Sequence, residues 1–295
     1  MKSGHTILDR ILIDVRRELA EAKARRPLAE LKRRLADAPP VRSLAGALRS
    51  GFGLIAEIKE RSPSQGPMRA ENVREAPAAY EASPVVRGFS VLTNATHFGM
   101  SLERLEAVRG IATRPVLRKD FIFDDYQVYE ARAYGADAIL LMANLLEADE
   151  LKRLHDLARS LGMEALFECH DLEQIRAVPS EAVLYGINSR TFAASSEAYL
   201  QARQERAAGR KEDLTTDLSR FEVGRHLPKT AVRVAESGVH PENIERVRRL
   251  GLYHAVLVGT SLLTAPEGVA HALHRFERAL NVTSPGQQAC RLCAG

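Results

Sequence analysis

Eight short apolar runs recur along the chain, separated by segments with helical periodicity. They are LIAEIK from residue 54, GFSVLT from 88, PVLRKDF from 115, AILLMA from 138, EALFEC from 164, LYGINS from 184, AVRVAES from 231 and AVLVGTS from 255. Most are rich in Val, Ile and Leu, which is typical of strands buried on both faces. Strands that alternate with helices predict parallel pairing through crossover helices. Eight units favour an α/β fold, a closed (β/α)8 TIM barrel, and no G-x-G-x-x-G follows a run to support a dinucleotide-binding sheet.

The same patterns divide the chain into an extension, a barrel and a tail. Residues 1–50 are predicted to form an N-terminal helical extension that packs on the barrel. Its apolar positions at helical spacing are Ile7, Ile11, Leu12, Val15 and Leu19. The catalytic barrel should span residues 51–280, with an insertion near 191–215, and residues 281–295 should form a flexible tail. Pro77 is expected to shorten the helix after the first strand or to delay its start.

Composition narrows the classes of function. The chain has 42 basic and 38 acidic residues, a net charge of +4, and only 5% aromatic residues. Without a basic block interleaved with aromatics, nucleic-acid binding is not expected, whereas a mild positive charge suits a small anionic substrate. The charges scattered through the first 26 residues fit neither a signal peptide nor a membrane span, which predicts a cytoplasmic protein without a membrane partner.

Cysteine usage agrees with a reducing compartment. Cys169 lies in an apolar run, while Cys290 and Cys293 form a C-x-x-C pair near the end of the chain. A structural zinc site needs about four ligands, and neither a second C-x-x-C nor a His pair accompanies this one. The pair is therefore interpreted as incidental, with a redox or metal role as the alternative, and no metal site is predicted.

Polar and charged side chains collect at the ends of the predicted strands, where a barrel of this type carries its chemistry. They are Glu57 and Lys59 on the first strand, Lys119 on the third, Glu168 on the fifth, Asn188 and then Arg190 on the sixth, and Glu236 on the seventh. Glu57 and Lys59 share one strand face, and burying both against the helices would be prohibitively costly. The set predicts acid–base chemistry on an anion at the barrel mouth. For any single member, a solvated or paired strand-end charge is the alternative.

The last two strands end in small residues instead. Ser237 and Gly238 follow the seventh strand, and Gly259 and Thr260 follow the eighth. Loops after strands seven and eight, with a short helix N-terminus, frequently hold a phosphate in such barrels. These four residues are therefore predicted to bind phosphate. The alternative is that the glycines only permit tight turns.

At these residues the sequence resembles the indole-3-glycerol-phosphate synthase family over nearly the whole chain, from about Ile7 to residue 280. The motifs are IAEIKERSPSQG, SVLTNATHFGMSLERL, PVLRKDFIFDDYQVYEARAYGADAILL, GINSRTF, VAESGV and LVGTSLL. The resemblance implies a carboxy-lyase of tryptophan biosynthesis that acts on 1-(2-carboxyphenylamino)-1-deoxyribulose 5-phosphate. The aromatic ring attacks the ribulose carbonyl, carbon dioxide leaves, and loss of water forms the indole. The family needs no cofactor or metal.

The resemblance also implies roles for individual residues. Lys119 matches the general acid of ring closure, Glu168 the carboxylate of proton transfer during dehydration, and Lys59 a lysine near the anionic groups with an acid role in the later step. Glu57, Asn188 and Glu236 match polar residues that position the substrate and hold the lysines, the first two in the catalytic set and Glu236 in the substrate-binding set. The substrate-binding and phosphate-binding matches are Glu236, Ser62 and Arg190 at the site and its rim, Phe98 and Phe121 around the anthranilate ring, and Ser237, Gly238, Gly259 and Thr260 at the phosphate.

Departures from the family pattern keep alternatives open. Met100 stands where a second glycine is usual, and Thr260 where Glu or Ser is more common. A catalytically altered or silent paralogue of the same barrel is therefore the second hypothesis. The isomerase that precedes this step is disfavoured because it uses a Cys/Asp pair and no Cys ends the first strand. The resemblance also allows association with other tryptophan-pathway enzymes.

Overall fold

The eight predicted strands form a closed parallel barrel in the computed structural model, which describes residues 7–190 and 216–281. They are β1 Gly53–Ile58, β2 Val86–Leu92, β3 Val116–Lys119, β4 Ala138–Met142, β5 Glu164–Cys169, β6 Leu184–Asn188, β7 Val232–Glu236 and β8 Ala255–Val258. The barrel closes where β8 pairs with β1. In this register Gly53 lies opposite Ala255 and Ala56 lies opposite Val258. The (β/α)8 prediction is confirmed.

Helices precede the barrel and alternate with its strands. They are α1 Ile7–Arg25, α2 Leu28–Arg34, α3 Leu44–Arg49, α4 Ala70–Ala82, α5 Ala95–Phe98, α6 Leu102–Ile111, α7 Asp125–Ala133, α8 Ala148–Ser160, α9 Leu172–Ala177, α10 Ile244–Arg249, α11 Thr260–Leu263 and α12 Val269–Ala279. Short 3-10 helices span Leu35–Asp37 and Leu218–His226, and a small antiparallel hairpin pairs Arg61–Ser62 with Gly66–Pro67. The insertion near 191–215 and the tail with Cys290 and Cys293 lie outside the described residues, apart from Asn281.

Pro77 does not act as the sequence predicted. Helix α4 runs from Ala70 to Ala82 with Pro77 in its interior, so the helix is neither shortened nor started late. An interior proline removes one helical hydrogen bond and ordinarily costs ~3 kcal/mol. Burial of the neighbouring Val73, Ala76 and Tyr80 against the barrel stabilises the helix against that loss.

Strand alternation builds two cores. Leu54, Ala56 and Ile58 of β1 belong to the outer core between strands and helices, whereas Ile55 belongs to the core inside the barrel. Because side chains alternate along a strand, Glu57 also faces inward, as predicted. Aliphatic side chains of the inner core form the floor of the barrel mouth. Charged side chains lie above this floor, at the carboxyl ends of the strands.

The N-terminal extension covers both ends of the barrel. Ser43 and Ala45 of the α3 region bind the Glu164 carboxylate at the start of β5, at 2.7 and 2.8 Å, so α3 closes the end opposite the strand carboxyl termini. Helix α1 is present as predicted, and it buries Ile11 and Val15 in the inner cluster. None of the helices in the two described segments is long and apolar enough to cross a membrane.

Candidate active site

All fourteen residues predicted for the site line one cavity of about 620 Å³ at the carboxyl ends of the strands. The structure therefore brings together residues as far apart in sequence as Glu57 and Thr260. Parallel strands end at the same edge, which is why the convergence of the strand-end residues could be predicted from strand boundaries, whereas Ser62, Phe98 and Phe121 follow only from the family resemblance.

Glu57 and Lys59 form an ion pair at the end of β1. Lys59 Nζ donates to Glu57 Oε1 at 2.5 Å, and both side chains are buried. Gly259 makes room for this carboxylate, since a Cβ at residue 259 would lie 2.5 Å from Glu57 Oε1. The Tyr80 hydroxyl of α4 donates to the Glu57 carbonyl at 3.0 Å and fixes the strand end from outside the barrel.

Lys119 lies between two carboxylates on the far side of the cavity. Its Nζ donates to Glu168 Oε2 at 3.0 Å and to Glu236 Oε2 at 2.9 Å. The carboxylates are almost fully buried, while the lysine side chain is 15% exposed and so faces the cavity. The arrangement holds an ammonium group where a substrate can reach it.

Burial and mutual charge separate the protonation behaviour of these three groups. Burial of Glu168 opposes ionisation, but the charges of Lys119 and His170 outweigh it and lower the pKa of Glu168 to about 2. Burial, reinforced by the Glu168 charge and opposed by Lys119, raises the pKa of Glu236 to about 7. Burial lowers the pKa of Lys119, but the surrounding carboxylates outweigh it and raise that pKa above its ordinary value. Because the pKa values of Glu168 and Glu236 differ, the two neighbouring carboxyl groups can take different parts in proton transfer.

Polar groups of β6 and of the hairpin complete the rim. Asn188 Oδ1 accepts a hydrogen bond from the Arg190 backbone N–H at 2.9 Å, which turns the chain at the end of β6. In the hairpin, Ser62 Oγ accepts from the Gln65 N–H at 3.2 Å and lies 3.4 Å from Ser64 Oγ. Because both serines are buried beside the cavity, the hairpin presents its hydroxyls inward.

Two aromatic rings form one wall. Phe98 ends α5, Phe121 follows β3, and their rings stack with centroids 6.3 Å apart at an angle of 29°. Asp120 Oδ1 accepts from the Phe121 N–H at 2.9 Å, and Gln127 Nε2 donates to the Phe121 carbonyl at 2.9 Å. On the other side, Glu18 of α1 accepts from the Asn94 amide at 2.8 Å. The Phe98 carbonyl accepts from the Glu60 backbone N–H at 3.0 Å, so the backbones of both aromatics are held by hydrogen bonds and a flat apolar group has a defined surface to pack on.

The turns after β7 and β8 are built from small residues. They line the same cavity as the two aromatic rings. Ser237 and Gly238 adopt positive φ of 69° and 70°, a conformation that is uncommon for serine. The Ser189 hydroxyl donates to the Ser237 carbonyl at 3.0 Å, and the Asn243 amide donates to the Gly238 carbonyl at 2.8 Å. These contacts hold the turn that lies beside Thr260 at the start of α11.

Sequence reasoning missed several residues of the cavity. Leu140 and Met142 of β4 form part of its apolar floor, and His240 and Asn243 lie beyond the turn after β7. Alternation from the inward Ala138 identifies Leu140 and Met142, but these apolar side chains carry no sign of a site beyond those of any inward strand position. His240 and Asn243 lie in a loop whose path over the mouth follows no sequence period.

Comparison with known proteins indicates one family. The family model for indole-3-glycerol phosphate synthase matches residues 8–204. The chain is 42% identical over 264 residues to the protein of that name from Streptomyces griseus, covering 88% of this chain and 90% of the relative. The Nocardioides sp. relative of that name is 40% identical over 281 residues, covering 92% and 99%. The Carboxydothermus hydrogenoformans relative of that name is 37% identical over 273 residues, covering 87% and 94%.

Proposed function

Because the chain belongs to the indole-3-glycerol phosphate synthase family, we propose that the cavity at its barrel mouth binds 1-(2-carboxyphenylamino)-1-deoxyribulose 5-phosphate as a small phosphorylated anion. The chain is a carboxy-lyase of tryptophan biosynthesis. Its reaction joins the carboxyl-bearing ring carbon to the ribulose carbonyl carbon, releases carbon dioxide and then releases water. The observation that carries the proposal is the Lys119 ammonium group, held by two buried carboxylates beside an aromatic wall.

Lys119 is proposed as the general acid of ring closure. Its raised pKa keeps it protonated at neutral pH, and its exposed face meets the cavity. When the ring carbon attacks, the carbonyl oxygen gains electron density, and Lys119 delivers a proton to it. The pair of electrons from the breaking bond to the carboxylate then restores the aromatic ring as carbon dioxide leaves.

Glu168 is proposed as the base of the dehydration. The Lys119 charge keeps it ionised, because it lowers the pKa of Glu168 against the effect of burial. Glu168 takes a proton from the intermediate while the new hydroxyl leaves as water, with a proton supplied by Lys59. Glu57 holds Lys59 at the end of β1, so the second acid and its partner carboxylate lie on one strand. Asn188 fixes the end of β6 between these groups.

Binding of the substrate is assigned to the remaining walls. Phe98 and Phe121 are proposed to pack on the anthranilate ring, while Ser62, Arg190 and Glu236 contact its polar groups at the rim. The turns at Ser237–Gly238 and Gly259–Thr260 are proposed to hold the phosphate through backbone N–H groups. Both ends of the substrate are thus fixed, which brings the ring carbon to the carbonyl.

Indole fluorescence tests the proposal directly. Purified protein is mixed with the substrate, and formation of the indole product is followed over time. Lys119→Ala is expected to lower kcat by on the order of 10²–10⁴-fold, the range for loss of a general acid. The control is Lys229→Ala, which removes an exposed lysine away from the cavity and should leave the rate unchanged. No product with the wild type would favour the silent paralogue, and an undiminished rate with Lys119→Ala would remove Lys119 from the mechanism.

The cellular location of the enzyme and its association with other enzymes are part of the same proposal. A cytoplasmic location is proposed, and the free, buried thiol of Cys169 is compatible with a reducing compartment. Association with other tryptophan-pathway enzymes is also proposed. Cell fractionation checks the location, and co-purification of those enzymes with the tagged full chain checks the association.

A further inference from the structure

Gly186 lies inward on β6, directly between the two carboxylates that hold Lys119. Its Cα is the registered partner of Glu168 on β5, and Glu236 comes from β7 on the other side. A Cβ built at Gly186 would lie only 1.9 Å from Glu236 Oε1 and 3.0 Å from its Cδ. The Glu236 carboxylate therefore occupies the space that a side chain at residue 186 would fill.

Backbone conformation does not explain this glycine. The φ angle of Gly186 is not positive, so any L residue can adopt it. The residue is buried within a regular strand, where glycine is ordinarily unfavourable relative to residues with a side chain. The close approach of Glu236 is the reason that the structure gives for glycine here.

We propose that Gly186 is a positioning residue for the reaction, because its missing side chain lets the Glu236 carboxylate cross β6 and reach Lys119. The inference rests on the proposed function of this site. Glu236 Oε1 accepts no hydrogen bond from the described residues and lies in the space that a side chain at Gly186 would fill. Oε2 of the same carboxylate then meets Lys119 Nζ at 2.9 Å, opposite Glu168.

Gly186→Ala tests the proposal. A real Cβ stays at least 3.0 Å from such an atom, so the carboxylate must move by about 1 Å and its contact with Lys119 is broken or lengthened. A displacement of this size is expected to lower kcat/KM by on the order of 10²-fold. The matched control is Gly110→Ala in α6, where an added Cβ meets nothing within 4 Å and the rate should not change.

Rescue separates positioning from a general structural effect. Glu236→Asp shortens the side chain by one methylene, so Gly186→Ala combined with Glu236→Asp should be more active than the product of the two single losses predicts. Strict multiplication of the two losses, or a fully active Gly186→Ala, would overturn the inference. If Gly186→Ala does not fold, Gly186→Ala with Glu236→Ala removes the clashing carboxylate and should fold; failure of that variant to fold also overturns it. A wild type without activity would instead count against the proposed function.

Discussion

Arg118 offers a quantitative test of how the site is supported from behind. It precedes Lys119 on β3 and therefore points outward, where its side chain is only 4% exposed. Its guanidinium pairs with Asp120 at 3.0 Å and with Glu130 at 3.1 Å, and it donates to the Gln127 carbonyl at 2.8 Å. The same Asp120 holds the Phe121 N–H. Arg118→Met keeps the length of the side chain and removes the charge.

The expected loss follows from the two carboxylates left behind. Removing one partner of a buried ion pair ordinarily costs about 3–5 kcal/mol, because the remaining charge is uncompensated. Burial already raises the pKa of Glu130, and Arg118 opposes that shift. Without Arg118 the pKa of Glu130 rises further, so the folded variant binds a proton more readily than the unfolded chain. The loss should therefore be smaller at pH 5 and larger at pH 8.

Urea unfolding followed by circular dichroism measures this loss at both pH values. The control is Arg249→Met, whose side chain is 78% exposed in its pair with Glu245 and should cost less than about 1 kcal/mol. A loss below about 1 kcal/mol for Arg118→Met would contradict the argument from burial. A loss of equal size at both pH values would contradict the assignment to the unpaired carboxylates.

Two further predictions concern the cavity itself. Burial raises the pKa of Glu236 to about 7, so this group makes the folded state less stable as pH rises from about 4.5 towards 7. Glu236→Gln should therefore reduce the fall of the unfolding free energy with pH over that range. An unchanged pH slope would contradict the shift. Phe98→Leu removes one ring of the aromatic wall and should raise KM several-fold with a smaller change in kcat, which initial rates of indole formation measure. An unchanged KM would exclude Phe98 from ring binding.

Strand periodicity made the barrel and the polar residues at its strand ends predictable. The inward direction of Glu57 follows from a period of two and from the cost of burying a charge, and both hold for any buried strand. Arg118 escaped the same reasoning because its partners Thr93 and Glu130 come from other elements, and only the fold brings them together. Pro77 was mispredicted since local propensity yielded to packing of α4 on the barrel.

The alternation along β3 has a consequence for anyone who maps this enzyme by mutation. Lys119 meets the active-site cavity, while its neighbour Arg118 lies outside that cavity and pairs with Asp120 and Glu130. A screen of all substitutions at both positions by activity alone would score both as intolerant. It would not distinguish loss of folded protein from loss of turnover. Measuring abundance beside turnover would separate them, since a change at residue 118 should deplete folded protein whereas a change at residue 119 should leave a full complement of inactive barrels.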